Sequence, residues 1–396
     1  MPSGGTLAGL RVLDVTQVMA GPYCAMLLCD MGADVIKVEP RAGDSTRRMA
    51  GATGGDSPSF NAVNRGKRGI VIDLKSDAGR GVFERLASSA DVLIENFRPG
   101  VMAGLGLDYA TLADVNPRLI YASISGYGQT GPKATHGGFD LVAQGVSGII
   151  SVTGEPGRPP TKAGIPITDL GAALFATTGI LAALHHRATT GRGQQIDTSL
   201  VDAGVAMSVW EATEYFSGTG VPAPLGSAHR MSAPYQAVKC SDGYITLGGA
   251  NDRIFQRVCG LLGHAEWATD PDYVDDTARV RNRAALAKKI EGITETEPRD
   301  HWLELFEAHD IPSGPINNYA AVVDDPQVRA REMVVETEHP TLGTIRTLGS
   351  PLKLSATPVT TGRPAPLLGQ HTDVVLREAG YDDAEIAKLR ETKAVK

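Results

Sequence analysis

Cysteine is scarce in this 396-residue chain, with only four, at positions 24, 29, 240 and 259. Their number and spacing fit neither a disulfide framework nor a CxxC zinc pattern, so they read as core or surface thiols in a reducing compartment. Met1-Pro2-Ser3-Gly4-Gly5 has no basic region ahead of an apolar run, and no later segment approaches an uncharged apolar 18-mer. A cytoplasmic protein with no membrane partner is expected. Positive charge is also lacking: 38 Lys+Arg against 45 Asp+Glu leave a net charge of -7. That balance argues against a nucleic-acid partner gripped through its phosphates and favours a small-molecule ligand. Absent too are GxxxxGK[ST], GxSxG and HExxH, any low-complexity stretch and any internal repeat.

What is present is ordinary globular composition, 42% apolar and 21% charged, on a chain long enough for two or three folding units. Apolar runs at 10–15, 34–38, 69–74, 90–95 and 119–125 read as strands, and 21–31 and 78–87 between them as helices. This alternation predicts an α/β fold with a mostly parallel sheet covered by helices on both faces. Beyond it, 170–186 reads as a long apolar helix, 195–200 as a strand and 201–216 as a second long helix. Gly, Pro and Ser enrichment over 217–235 marks a linker. A smaller unit follows, with a strand at 244–247 and amphipathic helices at 284–294 and 302–309. The tail from Glu336 carries a strand at 344–348 and a helix near 383–390.

Gly126 to Gly131 matches GxGxxG after a strand, but Pro132 and the residues behind it do not open a helix that could hold a pyrophosphate, so the match reads as a turn. His185 and His186 end a helix, where the dipole favours cations and no ligand is needed. Asp169 sits between the strand-like 164–168 and the apolar helix. It is equally well an N-cap or a functional carboxylate. In the second case the helix N-terminus keeps it ionised, a nucleophile that needs no general base. Backbone N–H groups of a glycine loop would then stabilise the oxyanion. Gly248-Gly249, after a strand, is such a candidate, with a plain hairpin turn as the competing explanation.

Widely separated stretches, LDVTQVMAGP at 13–22, GADVIKVE at 32–39, ENFRPG at 95–100, Asp169, TGRGQ at 190–194 and PLLGQHT at 366–372, resemble the class III CoA transferases. This family includes formyl-CoA transferase and the carnitine CoA transferases. The resemblance spans nearly the whole chain. It implies Asp169 as the nucleophile that forms a mixed anhydride with the donor acyl group and then an aspartyl-CoA thioester, with no metal and no tightly bound cofactor. It also implies CoA contacts from Val18, Met19, Ala20, Arg41, Ile72, Asp73, Leu74, Lys75, Asn96, Phe97 and Arg98, with Gly138, Phe139 and Asp140 beside the thioester. Lys75 and Arg98 suit phosphates chemically, though each also suits a solvated surface. Formyl-CoA transferase has basic residues where Gly104 and Gly137 stand, so its phosphate contacts do not carry over whole.

The α-methylacyl-CoA racemases of the same family place His and Glu where this chain has Phe139 and Asn251, neither of which shuttles protons. Transferase is therefore preferred, with a racemase and a non-catalytic CoA-binding protein as alternatives. Likeness to transferases of the succinate–hydroxymethylglutarate type, through GSAH at 226–229, PYQ at 234–236, GPINN at 314–318 and EHPT at 338–341, implies a dicarboxylic acid substrate. Gln17 stands where those enzymes have Arg, and Met19 where formyl-CoA transferase has Gln. Gln17, Gly248 and Gly249 are the substrate-side candidates; His229 either joins them or is an ordinary linker histidine. The fold implied is a large Rossmann-like domain, 1–216 with 336–396, and a small inserted α+β domain, 235–319. Linkers at 217–234 and 320–335 would let two chains thread as an interlocked homodimer.

Overall fold

The computed structural model describes residues 4–49, 51–52 and 56–396. Six parallel strands form one sheet in the order β3-β2-β1-β4-β5-β6: β1 Arg11–Asp14, β2 Asp34–Glu39, β3 Arg68–Val71, β4 Val92–Glu95, β5 Ile120–Ser125 and β6 Gln195–Ser199. Strand residues alternate between two cores because side chains on a strand point to opposite faces. Val12, Val35, Ile94, Ile120 and Ala122 pack on one face against Cys24 and Leu28 of the Ala20–Asp30 helix and Ala172, Ala176 and Ile180 of the Ile167–Thr190 helix. Leu13, Ile36, Ile70, Leu93 and Tyr121 pack on the other against Val82, Phe83 and Leu86 of Asp77–Ala87 and Leu376 and Ile386 near the chain's end. Both faces being covered explains why these strands read as nearly unbroken apolar runs. The expected α/β fold and its parallel sheet are present.

Three local expectations differ. The long apolar helix begins at Ile167, so 164–168 is not a strand. Ile167 and Thr168 are β-branched and look strand-like locally, but Asp140, far off in sequence, caps their turn: its Oδ1 accepts hydrogen bonds from Thr168 N at 3.0 Å and Thr168 Oγ1 at 2.7 Å. The helix expected over 201–216 is two, Leu200–Met207 and Val209–Phe216, broken at Ser208. Finally, Ile167–Thr190 does have the length and apolarity of a membrane span, contrary to the expectation that no segment would. One side of it, Ala172, Ala173, Ala176, Ile180 and Ala183, is buried in the sheet's core, and another, Leu174, Phe175 and Leu181, is exposed.

The chain divides into two compact units, 1–149 with 163–213 and 326–396, and 150–162 with 214–325. The first also holds an antiparallel hairpin, β10 Val334–His339 with β11 Gly343–Leu348. In the second, β7 Tyr235–Cys240, β8 Gly243–Gly248 and β9 Ser313–Pro315 form an antiparallel sheet in that order. Val238, Ile245 and Leu247 point from it onto Phe255, Leu286, Ile290, Trp302 and Phe306 of the covering helices. The turn joining β7 to β8 lies at Ser241-Asp242. Gly248 ends β8 instead, so the hairpin reading of Gly248-Gly249 does not hold.

Candidate active site

In a doubly wound sheet the ligand crevice lies outside the carboxyl ends of the strands, where strand order reverses. Here that place is between β1 and β4. A cavity of about 310 Å³ is lined there by Gln17, Val18, Met19 and Ala20 after β1, Asn96, Phe97 and Arg98 after β4, and Gly126 with residues 136–140 after β5. Asp169 and Leu200, near the starts of two helices, complete the wall.

Asp169 is the third residue of its helix rather than the residue before it, so the N-cap reading fails. Pro166 is the capping position, and the capping hydrogen bonds come from Asp140. The Asp169 side chain is half-buried, and among the described residues nothing hydrogen-bonds its carboxylate. Burial first, and the Asp140 carboxylate second, push its carboxyl up to about 7. The first-turn N–H groups favour the anion, yet at neutral pH this group is divided between acid and carboxylate instead of staying wholly ionised. A carboxylate freed from partners in a partly dry cleft is a better nucleophile than one held by hydrogen bonds, because less solvation is lost on attack.

Its neighbour Asp140 is differently occupied. One oxygen caps the Thr168 turn, and the other accepts Gln144 Nε2 at 2.7 Å. Asp140 thus holds two helices together at the cavity edge. Phe139 beside it is 73% exposed, an uncovered aromatic face. Gly126 and Gly138 bring the β5 loop back on itself: a Cβ on Gly126 would lie 2.7 Å from Gly138 Cα, so neither position admits a side chain without moving backbone.

Arg98 lines the cavity and also a smaller one of about 240 Å³ with Glu95, Asp108, Tyr121 and Gln129. A Cβ on Gly137 would lie 2.6 Å from Arg98 Nη2. The glycine that stands where formyl-CoA transferase has a basic residue is therefore the space through which Arg98 passes. Asn96 reaches the cavity, but its amide is engaged: Oδ1 accepts Gln17 N at 2.8 Å and Nδ2 donates to Gln17 O at 2.7 Å.

Other candidates lie outside this cavity. Arg41 donates to the carbonyls of Lys393 and Val395 at 3.2 and 3.1 Å, Ile72 is buried and bridged to Val395, and Asp73 N donates to Ala394 O. Leu74 packs against the core, and Lys75 is exposed. Gly248, Gly249 and His229 belong to the second unit and do not line the cavity. The His229 ring stacks on Tyr235 at 4.9 Å, and its Nδ1 accepts Met231 N at 3.2 Å. Asn251, at the position diagnostic of racemases, caps the Asp252–Leu261 helix through Ile254 N at 2.9 Å.

Sequence reasoning overlooked His136, which with Arg98 supplies the basic side chains of the cavity. Its signal was weak, one histidine in a loop with no periodicity. Among the described residues no group of three or more His, Cys, Asp or Glu side chains could hold a metal ion.

The family described as CoA-transferase family III matches residues 7–372. Over 386 residues the chain is 40% identical to succinyl-CoA:glutarate CoA-transferase of Homo sapiens, spanning 97% of this chain and 88% of that protein. It is likewise 40% identical over 380 residues to succinate–glutarate CoA-transferase of Agrobacterium fabrum, spanning 94% and 95%. A solved CAIB/BAIF family protein from Brucella suis superimposes with a TM-score of 0.85 at 38% identity, covering 95% of this chain and all 100% of the other.

Proposed function

We propose that this chain, which belongs to CoA-transferase family III, moves coenzyme A from an acyl-CoA to a free dicarboxylic acid with Asp169 as the covalent carrier. The observation that carries this reading is the half-buried Asp169 carboxylate, without a hydrogen-bond partner among the described residues, in the crevice at the sheet's switch point. The carboxylate attacks the donor thioester carbonyl, the C–S bond breaks, and CoA thiolate leaves behind an aspartyl mixed anhydride. Thiolate then attacks the aspartyl carbonyl and releases the donor as its free carboxylate, leaving aspartyl-CoA thioester. The acceptor carboxylate opens that thioester, and returning thiolate takes the acceptor acyl group as the new acyl-CoA. Each step exchanges one activated carbonyl for another, and Asp169 ends as it began.

A dicarboxylic acceptor agrees with the succinate and glutarate named for the relatives. Arg98 offers the cavity's guanidinium, and His136 a hydrogen-bonding imidazole, to CoA phosphates or a second carboxylate. The remaining CoA contacts fall to Val18, Met19 and Ala20 along the wall and to Lys75 beyond it. We place the enzyme in the cytoplasm, since all four cysteines are unpaired and buried, with Cys24 pushed up to about 12 by desolvation.

The exposed apolar side chains Phe139, Leu141, Phe175, Val205, Val209 and Trp210 support an interlocked homodimer. In it a large Rossmann-like domain would carry a smaller inserted one. Sedimentation at twice 41.6 kDa is expected, and a monomer at micromolar concentration would refute it. For the chemistry, incubation with succinyl-CoA should leave an adduct on Asp169 that hydroxylamine traps as a hydroxamate, and glutarate should consume it. No adduct across a panel of acyl-CoA donors would end the reading.

A further inference from the structure

The loop that forms one wall of the cavity is held in a conformation its sequence disfavours. Val18, β-branched and 38% exposed into the crevice, has φ of 70°. L-residues avoid this left-handed region because Cβ meets the following carbonyl, β-branched ones most of all. Such a residue persists only where its surroundings over-determine it.

They do so here, peptide by peptide. Asp14 accepts Thr16 N at 3.0 Å, Lys37 Nζ donates to Thr16 O at 2.8 Å, and Asn96 grips Gln17 N and O at 2.8 and 2.7 Å. The Asp44 carboxylate faces Val18 N at 3.3 Å and Lys37 Nζ at 3.3 Å, while its other oxygen is held by Thr46 N at 2.9 Å and Thr46 Oγ1 at 2.8 Å. Lys67 completes the set, donating to Asp14 at 2.7 Å. Asp14, Lys37, Asp44 and Lys67 all have fully buried side chains. Four desolvated charges are a poor way to gain stability, since well-packed apolar groups do as well. Three of them, Asp14, Lys37 and Asp44, converge on one short loop, and Lys67 backs Asp14.

We propose that Asp44, backed by Lys37, is a positioning residue that holds Val18 left-handed and so sets the Gln17–Ala20 wall against Asp169, orienting the thioester for attack. This rests on the transferase reading above. It assigns to the buried charges a task in turnover rather than in folding.

The test uses the full-length protein with succinyl-CoA and glutarate, and compares Asp44→Asn, Val18→Gly and the double variant. Asp44→Asn turns an acceptor facing Val18 N–H and Lys37 into an amide. It should lower kcat at least tenfold while the KM for succinyl-CoA moves less than threefold, and amide exchange over residues 16–20 should speed up. Glycine adopts φ of 70° unaided, so adding Val18→Gly should restore kcat at least threefold, a rescue that a merely structural role of Asp44 does not predict. If Asp44→Asn does not fold, Asn96→Asp, which loses the bond to Gln17 O at a half-buried position, takes its place with the same rescue expected. A kcat within threefold of the parent, or no rescue, overturns the proposal. If the parent itself transfers no CoA, the functional reading fails, and the exchange measurement still decides the clamp: unchanged protection of residues 16–20 in Asp44→Asn refutes it.

Discussion

Two walls of one crevice are built in opposite ways. Along residues 16–18 every peptide N–H and C=O named above is tied to a side chain, Asp14 of the preceding strand or a group from another strand or loop, and the charges behind them are fully buried. Across from them the Asp169 carboxylate has no hydrogen-bonding partner among the described residues and is pushed up to about 7. The contrast teaches a division of labour: geometry is fixed where chemistry does not happen, and the reacting group is left unsatisfied where it does. Preorganisation of this kind places reorganisation cost in folding rather than in the reaction.

The contrast is broken most severely by removing the free carboxylate. Asp169→Asn should lower turnover by about a thousandfold or more and abolish the hydroxylamine-trapped adduct, read by intact-mass spectrometry. An adduct surviving elsewhere would mean that Asp169 is not the carrier.

Next comes pH. The carboxylate attacks and the acid does not, so kcat/KM should climb as pH rises toward about 7 and level off above it. Asp140 contributes to that upward shift, so Asp140→Asn should move the acid limb to lower pH. It also disturbs the cap on Thr168, at about 1 kcal/mol of stability. An acid limb unmoved in this variant would show that burial alone sets the value. For stability the sign is the reverse of the usual carboxylate. A carboxyl whose folded pKa is raised favours the fold fully below its unfolded pKa, and that contribution fades as pH rises to about 7.

A smaller effect is expected at Gly137→Ala, whose Cβ would meet Arg98 Nη2 at 2.6 Å. Displacing the guanidinium should raise the KM for acyl-CoA about tenfold and leave kcat within about threefold, since one charge-assisted hydrogen bond is at stake. The smallest effect belongs to Asn251→Ala. It removes a helix cap at a cost of about 1 kcal/mol in a denaturant melt and should leave CoA transfer unchanged. Lost transfer would reopen a role for this position in proton chemistry.

Much of this site was readable from residue order. The segments after β1 and β4, Gln17–Ala20 and Asn96–Arg98, were implied by the family resemblance, and the switch-point rule gives the physical reason that they meet. Asp169 stood out beside its apolar helix. Less readable was its state. A helix-start carboxylate alone implies a stable anion, whereas burial in the cavity first, and the Asp140 carboxylate from a distant stretch of sequence second, reverse the inference. Arg41, a CoA contact by the family resemblance alone, has its guanidinium on the carbonyls of Lys393 and Val395, which sequence does not foretell. Of the two readings of Gly248-Gly249, an oxyanion loop and a hairpin turn, the turn does not hold, because Gly248 ends a strand.

Residue order by itself determined the parallel α/β sheet, the strands' two buried faces and the family, because hydrophobic periodicity and local motifs act over a few residues. Tertiary structure decided which carboxylate is free and which is a cap, where Arg98 passes, and why a valine is held left-handed beside the crevice. Those outcomes depend on groups far apart in sequence meeting in a medium of low polarity, where a partner at 3 Å or its absence changes what a charge can do.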